Sequence, residues 1–211
     1  MDALRKTDID KAIVTVVKKH THQGDVDIIL YGINNLSDLE QRILGYVSVC
    51  DISDNALLEK IFHLIQIWGG NSGRYFYLKK QNKFQQNQFS TYAKEYKVLV
   101  DACLKLQGPI PCPNDCKNLA AFVRKNAKIP NLGVSFISKH IRFWTFRNLK
   151  QNALPIYDSI MAKNYCNKTK TPNFKDLGQY YEKMINDPCR IKLGLGLMDY
   201  ERMLFNYYTR P

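Results

Sequence analysis

The sequence contains no apolar run that approaches the length of a membrane span, and its first eight residues lack the apolar core of a secretory signal. Its six cysteines are irregularly spaced, without paired C-x2-C elements, and its four histidines do not cluster. We therefore expect reduced thiols, a cytoplasmic protein, and no bound metal or other cofactor. A zinc site built from Cys112, Cys116, Cys166 and Cys189 is the alternative, which the missing paired elements disfavour.

The composition is that of a folded protein. With 211 residues, 45% hydrophobic and 12% aromatic, the chain can bury a full core as one domain or as two small lobes. Disorder is excluded, because disordered chains combine low hydrophobicity with few aromatic residues. The sequence shows no internal repeat and no low-complexity segment.

Charge is unevenly distributed along the chain. Residues 1–60 carry seven Lys and Arg against ten Asp and Glu, whereas residues 61–211 carry 24 against nine, a net of +15. A concentrated positive charge is typical of proteins that bind a polyanion, because Lys and Arg displace counterions from phosphates. A soluble basic surface and an anionic lipid surface are the alternatives, and no isolated basic amphipathic helix supports the lipid one.

Apolar periodicity predicts a mainly α-helical protein. The predicted helices span residues 7–20, 37–50, 55–68, 91–106, 115–127, 135–148, 159–165 and 199–208, and residues 25–31 form a short strand or a buried turn. Three prolines within 109–113 interrupt the pattern, because proline cannot continue a helix. This break predicts a hinge between lobes near residues 108–114.

Lys139 and Asp158 lie nineteen residues apart, near the start of helix 135–148 and after the break at Pro155. No Asp or Glu occurs between Cys116 and Tyr157, although Lys and Arg are frequent there. Neighbouring cations and the helix dipole are expected to lower the pKa of the Lys139 amine, and a neutral amine is a nucleophile. A carboxylate at 158 would stabilise a cationic transition state. The alternatives are a phosphate-contacting surface lysine and an N-cap for the helix that follows Asp158.

The tight connection between helices 115–127 and 135–148 includes Gly133. Backbone N–H groups in such a turn and at the following helix start point outwards and can bind a phosphate. An ordinary helical hairpin is an equally good interpretation of these residues alone.

The stretch Gly133-Val134-Ser135-Phe136-Ile137-Ser138-Lys139-His140-Ile141-Arg142-Phe143-Trp144, followed by Leu154-Pro155-Ile156-Tyr157-Asp158-Ser159, resembles the helix-hairpin-helix DNA glycosylases. Within that superfamily it is similar to bacterial proteins related to 8-oxoguanine DNA glycosylase. The run Trp68-Gly69-Gly70-Asn71-Ser72-Gly73-Arg74 also looks like this branch, which includes glycosylases that defend against phages carrying glucosylated hydroxymethylcytosine. The resemblance covers roughly residues 57–160.

The resemblance implies a two-lobed helical fold and a monomer that binds double-stranded DNA, flips a modified base out of the duplex and removes it, leaving an abasic site. It makes Lys139 the nucleophile and Asp158 the essential carboxylate. The expected base pocket comprises Trp68, Gly69, Gly70, Asn71 and Phe143, and the expected DNA contacts comprise Gly133, Ser135, Arg74, His140, Arg142, Arg147 and Lys150. For the run from Trp68 to Asn71, a plain helix C-cap is an equally good interpretation. For His140 a hydrogen-bonded structural role is the stronger alternative, and Phe136, Ile137, Ile141 and Trp144 are expected in the core.

The chain departs from the family pattern at three places. The hairpin has only Gly133 in place of Gly-x-Gly, which bears on phosphate binding, and Ile160 replaces a histidine. Phe143 stands where 8-oxoguanine enzymes have a smaller residue, which argues against 8-oxoguanine as the substrate. Phe143 and the resemblance to the bacterial branch favour an anti-phage enzyme acting on glucosylated hydroxymethylcytosine. An 8-oxoguanine repair glycosylase with lyase activity on the host genome and a non-catalytic DNA-binding protein are the alternatives.

Overall fold

The computed structural model describes residues 36–69, 89–129, 132–168 and 171–209, and the regular elements in these ranges are all helices. The α-helices are α1 (Leu36–Val49), α2 (Asn55–Trp68), α3 (Ala93–Leu104), α4 (Pro113–Asn126), α5 (Val134–Leu149), α6 (Ser159–Asn164), α7 (Phe174–Ile185), α8 (Pro188–Leu193) and α9 (Leu197–Tyr208). Short 3-10 turns cover Phe89–Thr91 and Lys150–Asn152. The predicted mainly α-helical fold is confirmed.

Seven predicted helices agree with α1 to α6 and α9 to within a few residues at each end. The predicted elements at 7–20 and 25–31 lie outside the described residues. Two helices, α7 and α8, were not predicted. The sequence of α7 does carry a helical signal, because its buried residues Leu177, Tyr180, Tyr181, Met184 and Ile185 follow the spacing of one helix face.

The chain divides into two compact units after Ala93. In the first unit, α1 packs against α2 through the apolar stripe Leu39, Ile43 and Val47, which is fully buried. Helix α2 is buried on most of its surface, with Leu58, Ile61, Phe62, Leu64 and Ile65 all inaccessible to solvent. The rings of Phe62, Phe89 and Tyr92 form an aromatic cluster beside it, with centroids 5.3–5.8 Å apart.

Helix α5 forms the core of the second unit, because it is buried on nearly every side. Residues 153–158, which follow α5, connect it to α7 through a hydrogen bond. Helix α7 in turn packs along α4. An ion pair between Lys117 Nζ and Glu182 Oε1, at 2.6 Å, joins α4 to α7 on a half-exposed surface. None of the helices in the described ranges is long and apolar enough to cross a membrane.

The proline-containing segment 108–114 lies inside the second unit and not at the boundary. Two asparagines at or just after the end of α5 form hydrogen bonds with this segment and with the residues just before it. Asn148 donates to the carbonyl groups of Leu104 and Leu106, and Asn152 donates to that of Pro109. The boundary between units therefore follows Ala93, and the predicted hinge position at 108–114 does not coincide with it.

Candidate active site

Helix α5 carries four buried polar side chains in an otherwise apolar environment. Ser138, His140, Arg142 and Thr145 are all at most 4% exposed. Burying a polar group is costly unless it finds a hydrogen-bond partner. Each of the four has a hydrogen-bond partner. The partners of Ser138, Arg142 and Thr145 also explain how the chain after α5 is held in place.

Residues 153–158 form an extended segment that runs antiparallel to α5. Leu154 N–H donates to Thr145 Oγ1 and Tyr157 N–H donates to Ser138 Oγ, both at 3.0 Å. The seven helical steps from residue 138 to residue 145 rise about 10.5 Å. The three extended steps from residue 154 to residue 157 cover about 10 Å, so the two spans match and the register is set.

This register places Lys139 and Asp158, nineteen residues apart in the sequence, next to the same hydrogen bond between their chain segments. Each follows directly after one partner of the hydrogen bond between Ser138 and Tyr157. Ser138 is itself fixed, because its hydroxyl donates to the carbonyl of Ser135 at 2.9 Å. Lys139 and Asp158 are both half-buried at this junction.

Asp158 is the N-cap of α6. Its Oδ1 accepts a hydrogen bond from Met161 N–H at 2.9 Å, so the capping interpretation is confirmed. Capping uses one of the two carboxylate oxygens. A cap also holds the carboxylate in one orientation, which suits a group that must stabilise charge at a set position.

The amine of Lys139 lies over the ring of Phe136, 4.1 Å from its centroid. An ammonium ion is attracted to the face of an aromatic ring, so this contact is a cation–π geometry. To act as a nucleophile, Lys139 must leave the ring. The expectation of a neutral amine stays a prediction.

Both backbone polar groups of Ile156 form hydrogen bonds with side chains from distant helices. Glu201 Oε1 on α9 accepts from Ile156 N–H at 2.9 Å, and the Tyr180 hydroxyl on α7 donates to the Ile156 carbonyl at 2.9 Å. The rings of Tyr157 and Tyr180 stack with centroids 4.7 Å apart. Sequence reasoning missed Glu201 and Tyr180, because no local pattern links them to residue 156.

Arg142 does not occupy the position predicted for a phosphate contact. Arg142 is 4% exposed, and its guanidinium forms a buried ion pair with Glu201 on the inside of the second unit. Burial raises the pKa of the Glu201 carboxyl, and the Arg142 cation and the Ile156 N–H partly offset that rise. The prediction that Arg142 contacts DNA is corrected to a structural role, because both its charge and its surface are used internally.

His140 and Phe143 are also interior residues. His140 Nδ1 lies 3.0 Å from the Tyr96 hydroxyl, which accepts from Trp144 Nε1 at 2.8 Å, so the structural alternative for His140 is supported over a phosphate contact. Phe143 is fully buried, as are Ile141 and Trp144 of the expected core. A fully buried ring has no face to offer a base, so the position of Phe143 does not support the predicted pocket contact.

The start of α5 is not covered by the described part of the protein. Gly133 is its N-cap, no side chain caps the helix there, and a Cβ added to Gly133 would meet no atom within 4 Å. Ser135 is half-buried next to it, while residues 130 and 131 of the connection lie outside the described ranges. Exposed N–H groups at an unobstructed helix start are what a phosphate contact needs.

The other predicted DNA contacts of α5 lie at its far end. Arg147 is half-buried and Lys150 is exposed, and a helix of 16 residues is about 24 Å long. These two residues therefore lie too far from Gly133 and Ser135 to contact the same phosphate. The two ends of α5 could contact one duplex only at different phosphates along its backbone.

The predicted pocket residues of the first unit are only partly described. Trp68 is the last residue of α2, and Gly69 N–H donates to the Ile65 carbonyl at 3.0 Å, which is the hydrogen bonding of a helix end. Gly70, Asn71 and Arg74 lie outside the described residues. All six cysteines are free thiols, and no group of His, Cys, Asp and Glu among the described residues could hold a metal ion.

Comparison with known proteins adds no relative: no family model, curated protein or solved structure matches the chain.

Proposed function

We propose that this protein is a DNA glycosylase with a two-lobed helix-hairpin-helix fold, in which Lys139 and Asp158 remove a modified base from double-stranded DNA. The observation that carries the proposal is the hydrogen bond from Tyr157 N–H to Ser138 Oγ, which joins the two chain segments next to Lys139 and Asp158. The division of the chain into two compact units supports the two-lobed arrangement. The protein acts as a monomer in the bacterial cytoplasm.

The proposed reaction begins with a nucleotide flipped out of the duplex. The neutral amine of Lys139 attacks C1′ of the sugar, the N-glycosidic bond breaks, and its electron pair leaves with the base, which takes up a proton. The sugar ring then opens to give a Schiff base, whose hydrolysis leaves an abasic site and restores the amine. Asp158 stabilises the oxocarbenium-like charge that develops at C1′.

The DNA surface is proposed to include the open start of α5. An unobstructed helix start at Gly133 and Ser135 can take one phosphate, and the net charge of +15 on residues 61–211 supplies the general attraction. Arg147 and Lys150 remain candidates for contacts at the other end of α5. Arg142 and His140 are not among them, because both are interior.

The proposed substrate is glucosylated hydroxymethylcytosine in phage DNA. A sugar-bearing base needs a wide pocket, and the sequence Gly69-Gly70 offers a wall without side-chain bulk. Because Phe143 is buried, it no longer favours one substrate over the other. The choice of substrate therefore depends on the Trp68–Arg74 run. Excision of 8-oxoguanine from the host genome is the alternative within the same chemistry.

The contact between Lys139 and Phe136 favours one candidate of a different class. A lysine amine packed over a ring and an aspartate that caps a helix are also what a non-catalytic DNA-binding protein would show. Such a protein would bind DNA through the same helix start and would release no base.

Borohydride trapping tests the nucleophile. On oligonucleotides that carry glucosylated hydroxymethylcytosine, 8-oxoguanine or unmodified bases, the wild type should form a covalent adduct with one modified substrate. Lys139→Gln should form none and still bind DNA. Lys163→Gln is the matched control, because Lys163 is an exposed lysine on α6.

Undiminished base release by Lys139→Gln would refute the assignment of the nucleophile. Base release from 8-oxoguanine alone would keep the chemistry and replace the substrate. Binding without release from any substrate in the panel would favour the non-catalytic alternative.

A further inference from the structure

Glu201 on α9 touches both arms of the candidate active site. It lies 59 residues after Arg142 and 45 residues after Ile156, and it is only 7% exposed. Arg142 is on the helix that carries Lys139, three residues further along. Ile156 is on the extended segment that carries Asp158, two residues before it.

The two carboxylate oxygens of Glu201 divide these tasks. Oε2 pairs with Arg142 Nη1, and Oε1 accepts from Ile156 N–H at 2.9 Å. Since the Tyr180 hydroxyl donates to the carbonyl of the same residue, both polar groups of residue 156 are taken by side chains. The backbone two residues before Asp158 is therefore held by α7 and α9.

A buried carboxylate is an expensive way to hold a backbone segment. Ion pairs in protein interiors are often no more stable than hydrophobic side chains of similar volume, because both ions lose their hydration. What a carboxylate offers in addition is a strong, directional acceptor for an N–H group at one position. Glu201 supplies this acceptor to Ile156, and Arg142 supplies the counter-charge.

We infer that Glu201 is a positioning residue that sets the distance between Asp158 and Lys139, an inference that rests on the proposed glycosylase function. It touches neither DNA nor the reacting atoms. Reaction rates depend steeply on such placement, and a displacement of about 1 Å can lower a rate by about a hundredfold. Loss of the acceptor at Ile156 should therefore slow base release while leaving DNA affinity unchanged.

Two double variants separate the acceptor from the charge. In Arg142→Gln/Glu201→Gln, one amide can accept from Ile156 N–H and donate to the other amide, so the hydrogen bond persists without charge. In Arg142→Met/Glu201→Leu, the volume is kept and the acceptor is lost. Neither variant leaves an unpaired buried charge, which is the change that would threaten folding in Glu201→Gln alone.

Three measurements are made on the full chain: single-turnover base release from the substrate that the wild type accepts, DNA affinity, and amide hydrogen exchange at residues 156 and 157. The Gln/Gln variant should release base within about threefold of the wild-type rate and keep slow exchange. The Met/Leu variant should be slower by about a hundredfold at unchanged DNA affinity, with faster exchange at 156 and 157.

Equal rates for the two double variants, in a wild type that does release base, would overturn the positioning role and leave the glycosylase function standing. Unchanged exchange at 156 and 157 in the Met/Leu variant would overturn it as well. If the wild type releases no base and exchange still rises at those two amides alone, the function fails while the structural part of the inference, that Glu201 holds the Asp158 segment, is supported.

Discussion

Helices α5 and α9 begin in the same way and differ in what surrounds the beginning. Each has a glycine N-cap in extended conformation with no side-chain cap of its own, Gly133 with φ −71° and ψ 166° and Gly196 with φ −64° and ψ 159°. A Cβ at Gly133 would meet nothing within 4 Å. A Cβ at Gly196 would lie 2.8 Å from the carbonyl oxygen of Gln151.

Neither backbone conformation requires glycine, so what distinguishes the two positions is the space around them. At Gly196 the space is taken by the chain itself, and the next N–H group, that of Leu197, donates to Asn152 Oδ1 at 3.1 Å. At Gly133 the described part of the protein takes none of it. A helix start that is closed from inside is a packing contact, whereas one that is open can serve a ligand.

The largest effect is expected from Gly196→Ala. The added methyl group collides with backbone, which cannot rotate away as a side chain can, and overpacking of this kind costs about 1–3 kcal/mol. Urea denaturation of both glycine variants measures the difference, since Gly133→Ala makes the same change of N-cap residue without a collision. Equal stability of Gly196→Ala and Gly133→Ala would show that the two helix starts do not differ as described.

Lys150→Gly should stabilise the protein, because Lys150 lies next to the residues that close the start of α9. Lys150 has φ 49° and ψ −119°, a conformation that favours glycine, and the contacts of Gln151 and Asn152 with the start of α9 hold it there. Relief of this strain should raise the free energy of unfolding by about 1 kcal/mol.

Lys150→Ala is the control, because it removes the same charge and keeps the strain. A glycine variant no more stable than the alanine variant would contradict the account. If Lys150 contacts phosphate, both variants should lower the salt dependence of DNA binding by about one counterion.

Helix α8 provides a third kind of start, closed by a charged side chain. Its N-cap Asp187 accepts from Cys189 N–H at 2.8 Å and from the Tyr165 hydroxyl at 2.6 Å. Burial alone would raise the pKa of Asp187, but these hydrogen bonds outweigh burial and lower it from 3.8.

A lowered carboxyl pKa contributes stability above the unfolded-state value, and that stability is lost as the pH falls through the folded-state value. Asp187→Asn should therefore be less stable than wild type by about 1 kcal/mol at neutral pH. The difference in stability between wild type and Asp187→Asn should disappear as the pH falls below 3.8, the ordinary pKa of the carboxyl group. Thermal unfolding of both proteins across pH 2 to 7 measures it, and a gap independent of pH would exclude the ionised cap as its cause.

The smallest change in stability is expected from Gly133→Ala, below about 0.5 kcal/mol, because the added methyl group points into open space. DNA affinity should nevertheless fall by about tenfold if the helix start binds a phosphate, because the methyl group would occupy space that the phosphate needs and would weaken about one hydrogen bond to it. Affinity equal to wild type would remove the start of α5 from the proposed DNA surface.

The sequence predicted the helices best where apolar residues repeat strongly, as in α1, α2 and α5. It missed α7, although its buried residues follow the helical spacing, because three of its twelve residues are tyrosine or glycine and obscure the apolar stripe. It missed α8, although Asp187 before Pro188 and Gly194 after Leu193 are start and stop signals of a helix. The end of the first unit at Ala93 carries no break at all, whereas the strongest break, at 108–114, lies inside the second unit.

Sequence alone determined that this protein is mainly helical, where most helices lie, and that positive charge concentrates after residue 60, and it predicted Lys139 and Asp158 as candidate catalytic residues. These properties are local, because periodicity, proline and charge act over a few residues. Only the tertiary structure decided which polar residues are internal and which face outwards. Arg142 is buried because Glu201, 59 residues away, pairs with it, and Gly196 is closed because Gln151 returns to it. Burial and hydrogen-bond partners depend on residues far apart in the chain, and no local pattern contains that information.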